Sequence, residues 1–119
     1  MDSSAWDELL VRMGELRDLG GVVALLTWDQ ETFMPPRAAD ARAAQLAAMQ
    51  AVIHERLVDP RLGELLERAA GEQDEARAAM LRNLARERAR AIRVPARLVR
   101  ELAEAQSRAV EAWRAARAE

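Results

Sequence analysis

The fold turns on residues 3–26, SSAWDELLVRMGELRDLGGVVALL, where apolar side chains return at helical rather than strand spacing. Trp6, Leu9, Met13, Leu16, Val23 and Leu26 form one stripe of a helix with 3.6 residues per turn. Ser3 and Ser4 are N-cap candidates, since their hydroxyls can accept from the free N–H groups of a first turn. Asp7 and Glu8 follow, where carboxylates favour the helix dipole. Gly20-Gly21 interrupts the stripe at about 1 kcal/mol each relative to alanine, so a kink or a close approach by another helix is expected there. Pro35 and Pro36 then end the helix, because proline lacks the N–H donor and disfavours helical geometry in the residue before it.

The same rhythm continues outward. A second helix is predicted from about Pro36 to Leu57, on Ala39, Ala43, Leu46, Gln50, Ile53 and Leu57, flanked by Met49 and Val52. Asp59-Pro60 breaks it and starts another, with Asp59 as cap and Pro60 in the first position; this short helix stops around Gly71. Asp74 to Ala91 reads as a further helix carrying Met80, Leu84 and Ala91. After Val94-Pro95 a last helix carries Leu98, Leu102, Ala105, Ala109, Trp113 and Ala116. The expectation is a single all-α domain over residues 1–119, an antiparallel helical bundle or set of helical hairpins of four to five helices.

Composition agrees. Of 119 residues, 26 are alanine and 15 leucine, whereas Tyr is absent and Phe33 is the one phenylalanine. Strands draw on aromatic and β-branched residues, which are scarce here. The lack of cysteine excludes disulfides, thiol catalysis and Cys-based zinc sites, and the single histidine, His54, excludes any site needing two imidazoles. A net charge of −2 argues against a general nucleic-acid or acidic-membrane binder. No apolar run reaches the ~18 residues of a membrane span, and MDSSAWDELL carries acids where a signal peptide carries bases. A cytoplasmic, soluble protein is expected.

Three constellations invite chemistry. His54-Glu55-Arg56-Leu57-Val58 begins like the HExxH zinc motif, but its fifth position is valine and no second histidine exists, so an ordinary helix histidine is the better reading. Asp29 and Glu31 beside Trp28 are two carboxylates without a reason for separated pKa values, which solvated acids at a helix end explain as well. Between Arg82 and Arg100 stand seven arginines against one acid, Glu87, and Arg82, Arg86, Arg90 and Arg93 share a helical face. Without interleaved aromatics there is no stacking platform for single strands. The acid-rich stretch from Glu64 to Glu75 is positioned to neutralise this face within the chain.

The string Trp28-Asp29-Gln30-Glu31-Thr32-Phe33-Met34-Pro35 resembles the WDQET-x-MP signature of the M32 carboxypeptidases, the carboxypeptidase Taq or thermostable carboxypeptidase 1 family. Arg42-Ala43-Ala44-Gln45-Leu46 resembles the family's RxxQL helix. His54-Glu55, Asp59-Pro60 and Leu62-Gly63-Glu64-Leu65-Leu66 continue the likeness in order. So do Val94-Pro95 with Leu98-Val99, and Trp113-x-x-Ala116-Arg117.

The resemblance implies the N-terminal quarter of a much longer enzyme that removes C-terminal residues from peptides using zinc or cobalt. The family's HExxH helix and its third, glutamate ligand lie beyond the matching region, as do its HPF, DxRxT, HES-Q, IRxxAD and GxxQDxHW motifs. No catalytic or metal-binding residue, and no cofactor, is therefore carried onto this chain. The region is expected to form a lid or wall over a substrate groove, in a fold like that of neurolysin and the angiotensin-converting enzymes. Trp28, Asp29, Gln30, Glu31, Met34, Pro35, Trp113 and Arg117 are its groove-lining or structural candidates, with Trp28, Asp29 and Met34 facing inward. The expected partner is the missing catalytic domain or a second copy, in a homodimer built by antiparallel packing of long helices; neither a specific nucleic acid nor a membrane is expected.

Overall fold

The computed structural model describes residues 3–119. Five helices follow in order: α1 Ser3–Thr32, α2 Ala39–Val58, α3 Pro60–Arg68, α4 Glu75–Ile92 and α5 Ala96–Ala118, with one 3₁₀ turn at Pro36–Ala38 ahead of α2. The fold is all-α, and no strand occurs among the described residues. The chain measures 58 × 25 × 19 Å with a radius of gyration of 17.4 Å. A compact chain of this length would have about 13–14 Å, so this is an elongated slab with much of its helix surface uncovered.

The helix α2 lies at the centre, packed along α5 and also against α1, α3 and α4. Long-range pairs give the directions. Asp29 meets Arg42 while Glu15 meets Arg56, so α1 and α2 are antiparallel. His54 meets Ala91 and Leu57 meets Arg88, which makes α4 antiparallel to α2 as well.

Apolar burial divides between the two ends. At one end Ala5 and Leu9 of α1, Leu62 and Leu65 of α3, Ala69 at the end of α3 and Leu84 of α4 form the main core, with Met13, Leu16, Leu57, Leu66 and Leu81 packed on it. At the other end α2 buries Ala43, Leu46, Ala47 and Ala51, and α5 buries Ala103 and Ser107. These side chains are short except for Leu46, which lets the helix backbones come close.

Several expectations meet corrections. Helix α1 runs unbroken through Gly20-Gly21, and a Cβ built on either glycine would meet no atom within 4 Å, so no neighbour presses there. Ser3 and Ser4 lie within α1 as described, and residues 1 and 2 fall outside the described residues. Asp7 and Glu8 lie past the first turn. The rhythm Leu98, Leu102, Ala105, Ala109, Trp113, Ala116 is not the face that α5 turns inward. Leu98, Leu102 and Trp113 are exposed, and the packed side carries Ala103 and Ser107. Met80 of α4 is exposed too, while Leu84 and Ala91 are buried.

The other boundaries are chemically plain. Asp59 caps α3 by accepting from Arg61 N at 2.9 Å, with Pro60 in the first position. Asp74 caps α4 by accepting from Arg77 N at 3.0 Å. Gly71, at φ +88°, turns the chain between them in a conformation that L side chains resist. Gly63 is the one glycine under pressure, because a Cβ there would stand 2.9 Å from Nη2 of Arg88.

A charge network joins the starts of α1 and α3. Arg61 reaches Glu8 at 2.8 Å and Glu64 at 3.2 Å, and Arg12 reaches Glu8 at 3.2 Å and Asp59 at 2.9 Å. The hydrogen bonds and charge of Arg61, then those of Arg12, outweigh partial desolvation and hold Glu8 down at about 2 from its ordinary 4.5. Asp59 is lowered too, by the backbone N–H of Arg61 first and by Arg12 second. A carboxylate depressed in the folded state contributes stability that is present above its unfolded pKa and lost as pH falls through the folded one. Thermal unfolding should therefore show the melting temperature falling between about pH 4.5 and about pH 2. Glu8→Gln should lower it at neutral pH and flatten that acid limb, whereas an unchanged limb would remove Glu8 as its source.

Candidate functional site

The segment Trp28–Pro35 closes α1, and its side chains leave in different directions because each residue turns ~100° about the helix axis. Gln30 faces inward and is 2 % exposed. Its Nε2 donates to the carbonyl and the hydroxyl of Ser107, at 3.1 and 3.0 Å, and more distantly to Oε1 of Glu111 at 3.4 Å. The backbone carbonyl of Gln30 accepts from Arg114. One residue thus fastens the end of α1 to α5 through both its side chain and its main chain.

Asp29 faces α2 and accepts from Nη2 of Arg42 at 2.8 Å, while Nη1 of Arg42 donates to the carbonyl of Leu26 at 2.7 Å. The carbonyl of Asp29 takes the N–H groups of Phe33 and Met34, each at 2.9 Å, and so closes the helix. Met34 tucks under this turn, 6 % exposed. Pro35 is extended, at φ −63° and ψ 144°, and its carbonyl accepts from Ala38 to start the 3₁₀ turn.

Trp28 lies outside, 54 % exposed, edge-on to Phe33 with ring centroids 5.3 Å apart. Glu31 opens onto a cleft it shares with Val110, Trp113, Arg114 and Arg117 at the end of α5. The structure thus separates the candidates into three groups. Gln30 and Met34 are interior fasteners, Asp29 is a half-buried ion-pair partner, and Glu31, Trp113 and Arg117 line one open cleft. Asp29 and Glu31 face different neighbours and do not form an acid/base pair.

His54 does more than its position announced. Its Nε2 lies 2.9 Å from the carbonyls of both Ala91 and Val94, two acceptors that fix this nitrogen as the protonated one. The histidine ties α2 to the end of α4. Its spacing from two backbone carbonyls carries no side-chain signature, so sequence reasoning had nothing to find. Arg88 belongs to the basic run, yet its Nη1 donates to the carbonyls of Leu57 and Asp59, at 2.7 and 2.9 Å. Of the neutralisation expected from residues 64–75, the run receives one contact, Arg82 to Glu75 at 3.0 Å.

The donor set does not fit a metal. Among the described residues no group of three or more His, Cys, Asp or Glu stands together. No helix among them is long and apolar enough to cross a membrane.

Fold and site together define a helical layer whose polar side chains fasten helix to helix. The chain matches the sequence model of the Carboxypeptidase Taq (M32) metallopeptidase family over residues 8–119, and it belongs to that family. It is 40% identical over 121 aligned positions to thermostable carboxypeptidase 1 of Thermus thermophilus, across 96% of this chain and 23% of that enzyme's length. It therefore spans about a quarter of the relative it matches. No solved structure matches it significantly.

The interior setting of Gln30 makes a sharp prediction. Gln30→Glu puts a carboxylate against the carbonyl of Ser107 and the carboxylate of Glu111, which raises its pKa in the folded state. The penalty relative to the parent chain should be small near pH 4 and grow to about 2 kcal/mol at pH 7, the scale of a buried acceptor left unpaired. Equal melting-temperature losses at the two pH values would refute this account.

Proposed function

We propose that this chain is the non-catalytic helical lid or groove wall of an M32-type carboxypeptidase fold, the layer on which a metal-bearing catalytic part packs. The observation that carries the reading is the uncovered apolar face of α5. Leu98, Leu102 and Trp113 are 41, 48 and 66 % exposed. Together with Ala105, Ala109 and Ala116 they share one side of the helix, over about 27 Å at ~1.5 Å per residue. A continuous apolar face of this kind marks an interaction site rather than a solvated surface. The family match and the span of about a quarter of the relative both favour a layer that packs on further protein.

Incubated with zinc or cobalt and a blocked dipeptide, the chain is expected to release no free amino acid. It is expected to form a one-to-one complex with the part of the Thermus thermophilus relative outside the matched segment, and Leu102→Asp should abolish that complex. Metal-dependent turnover by the chain alone would overturn the reading, as would a complex indifferent to Leu102.

The same face supports a second reading, a standalone module in which another copy covers it through antiparallel packing of α5. A two-fold interface is the commonest way for identical chains to bury a shared patch. Equilibrium sedimentation at high micromolar concentration should then show twice the chain mass, returning to the monomer mass with Trp113→Asp. A monomer throughout would dismiss this second reading.

A further inference from the structure

Where α2, α4 and α5 meet, an open cleft of about 330 Å³ is walled by Ile53, Leu57, Ala91, Val94 and Val99, with Arg90 on its edge. The cleft is preformed, because His54 holds the carbonyls of Ala91 and Val94 at its floor. The same face of α4 carries Arg86 and Arg93 within about one turn of Arg90, and Arg100 follows Val99 on α5. Arg82 and Arg97 have acid partners, Glu75 at 3.0 Å and Glu101 at 3.5 Å. Arg86, Arg90, Arg93 and Arg100 have none within ion-pair reach among the described residues. In a chain of net charge −2 this is a local concentration of unanswered positive charge. Ile92, 56 % exposed, extends the apolar area beside it.

An aliphatic slot edged by guanidinium groups is complementary to one kind of surface, an amphipathic segment with aliphatic side chains on one face and carboxylates beside them. Guanidinium forks bind carboxylates through paired, charge-assisted hydrogen bonds, and the aliphatic wall supplies contact area. A nucleic acid fits less well. No Phe, Tyr or Trp lines the cleft to stack on a base, and the His54 ring is held to the carbonyls of Ala91 and Val94.

We propose that this cleft docks an acidic amphipathic segment of a partner protein, with leucine-like side chains in the slot and carboxylates on Arg90 and its neighbours. The surface is separate from the exposed stripe of α5 and does not depend on what covers that stripe.

The test uses the whole chain and a blocked, fluorescein-labelled helical peptide of leucine and glutamate, followed by fluorescence anisotropy. Saturable binding is expected that weakens with added salt. It should fall by about tenfold or more when the peptide's glutamates become glutamine, and equally for the Arg86→Glu, Arg90→Glu double variant. Both arginines are exposed, so the double variant should keep the parent's circular dichroism, and it should bind a leucine–lysine peptide instead. Val99→Asp, in the slot, should weaken the glutamate peptide as well. No binding at millimolar peptide, equal binding of the glutamine peptide, or tighter binding of a twelve-nucleotide thymidine oligomer would each overturn the proposal. A sedimentation mass that drops on reversing Arg86 and Arg90 would assign the cleft to a second copy and overturn it likewise.

Discussion

Helix ends leave backbone carbonyls without partners, and in this chain three of those ends are completed by a side chain from a different helix. Arg114 of α5 donates to the carbonyl of Gln30 at the end of α1. Arg88 of α4 donates to Leu57 and Asp59 where α2 stops, and His54 of α2 faces Ala91 and Val94 where α4 stops. A terminal carbonyl left dry costs about 1–3 kcal/mol. Each long-range donor therefore satisfies a local need and fixes where one helix lies against another. In a slab with so modest an apolar core, these contacts set the relative placement of α1, α2, α4 and α5.

The basic residues explain how this is done with so few polar groups. All 18 are arginine. Its planar fork can hold two acceptors at once, which an ammonium does less well. Arg42 bridges the carbonyl of Leu26 and the carboxylate of Asp29, and Arg61 bridges Glu8 and Glu64. Gly63 belongs to the same arrangement, since the space a Cβ would fill is taken by the Arg88 guanidinium. Between these fasteners the helices approach on alanine and serine, and the slab stays thin.

Thinness has a functional side. A layer two helices deep cannot cover all its apolar residues, and besides Leu10, Val11, Val22 and Leu25 along α1 it leaves three surfaces open. The α5 stripe is apolar along its length, the aromatic edge of Trp28 and Phe33 closes α1, and the α4 cleft sets aliphatic walls beside free arginines. In the function proposed above, the first of these surfaces packs on the remainder of an M32-type enzyme. The charge at the cleft asks for a partner of different character.

Much of this was legible from residue order alone. Helical spacing, proline breaks and the Asp59 cap placed the helices near their observed limits, because each of those signals is local chemistry within a few residues. The string from Trp28 to Pro35 marked the family and the α1 turn for the same reason. What residue order could not decide was which side of a helix faces inward. On α5 the larger apolar side chains point to Leu98, Leu102 and Trp113, yet the packed side is Ala103 and Ser107, since close helix approach selects small residues over hydrophobic ones. Gly20-Gly21 points to a kink or a close approach, yet α1 runs through it as helix and no neighbour stands within 4 Å of a Cβ built there. The roles of His54, Arg88 and Gln30 likewise belong to the tertiary structure: each bonds through its side chain to backbone atoms 29 to 77 residues away in the chain. A backbone carbonyl is the same in every residue, so only the packed fold determines which one a side chain meets.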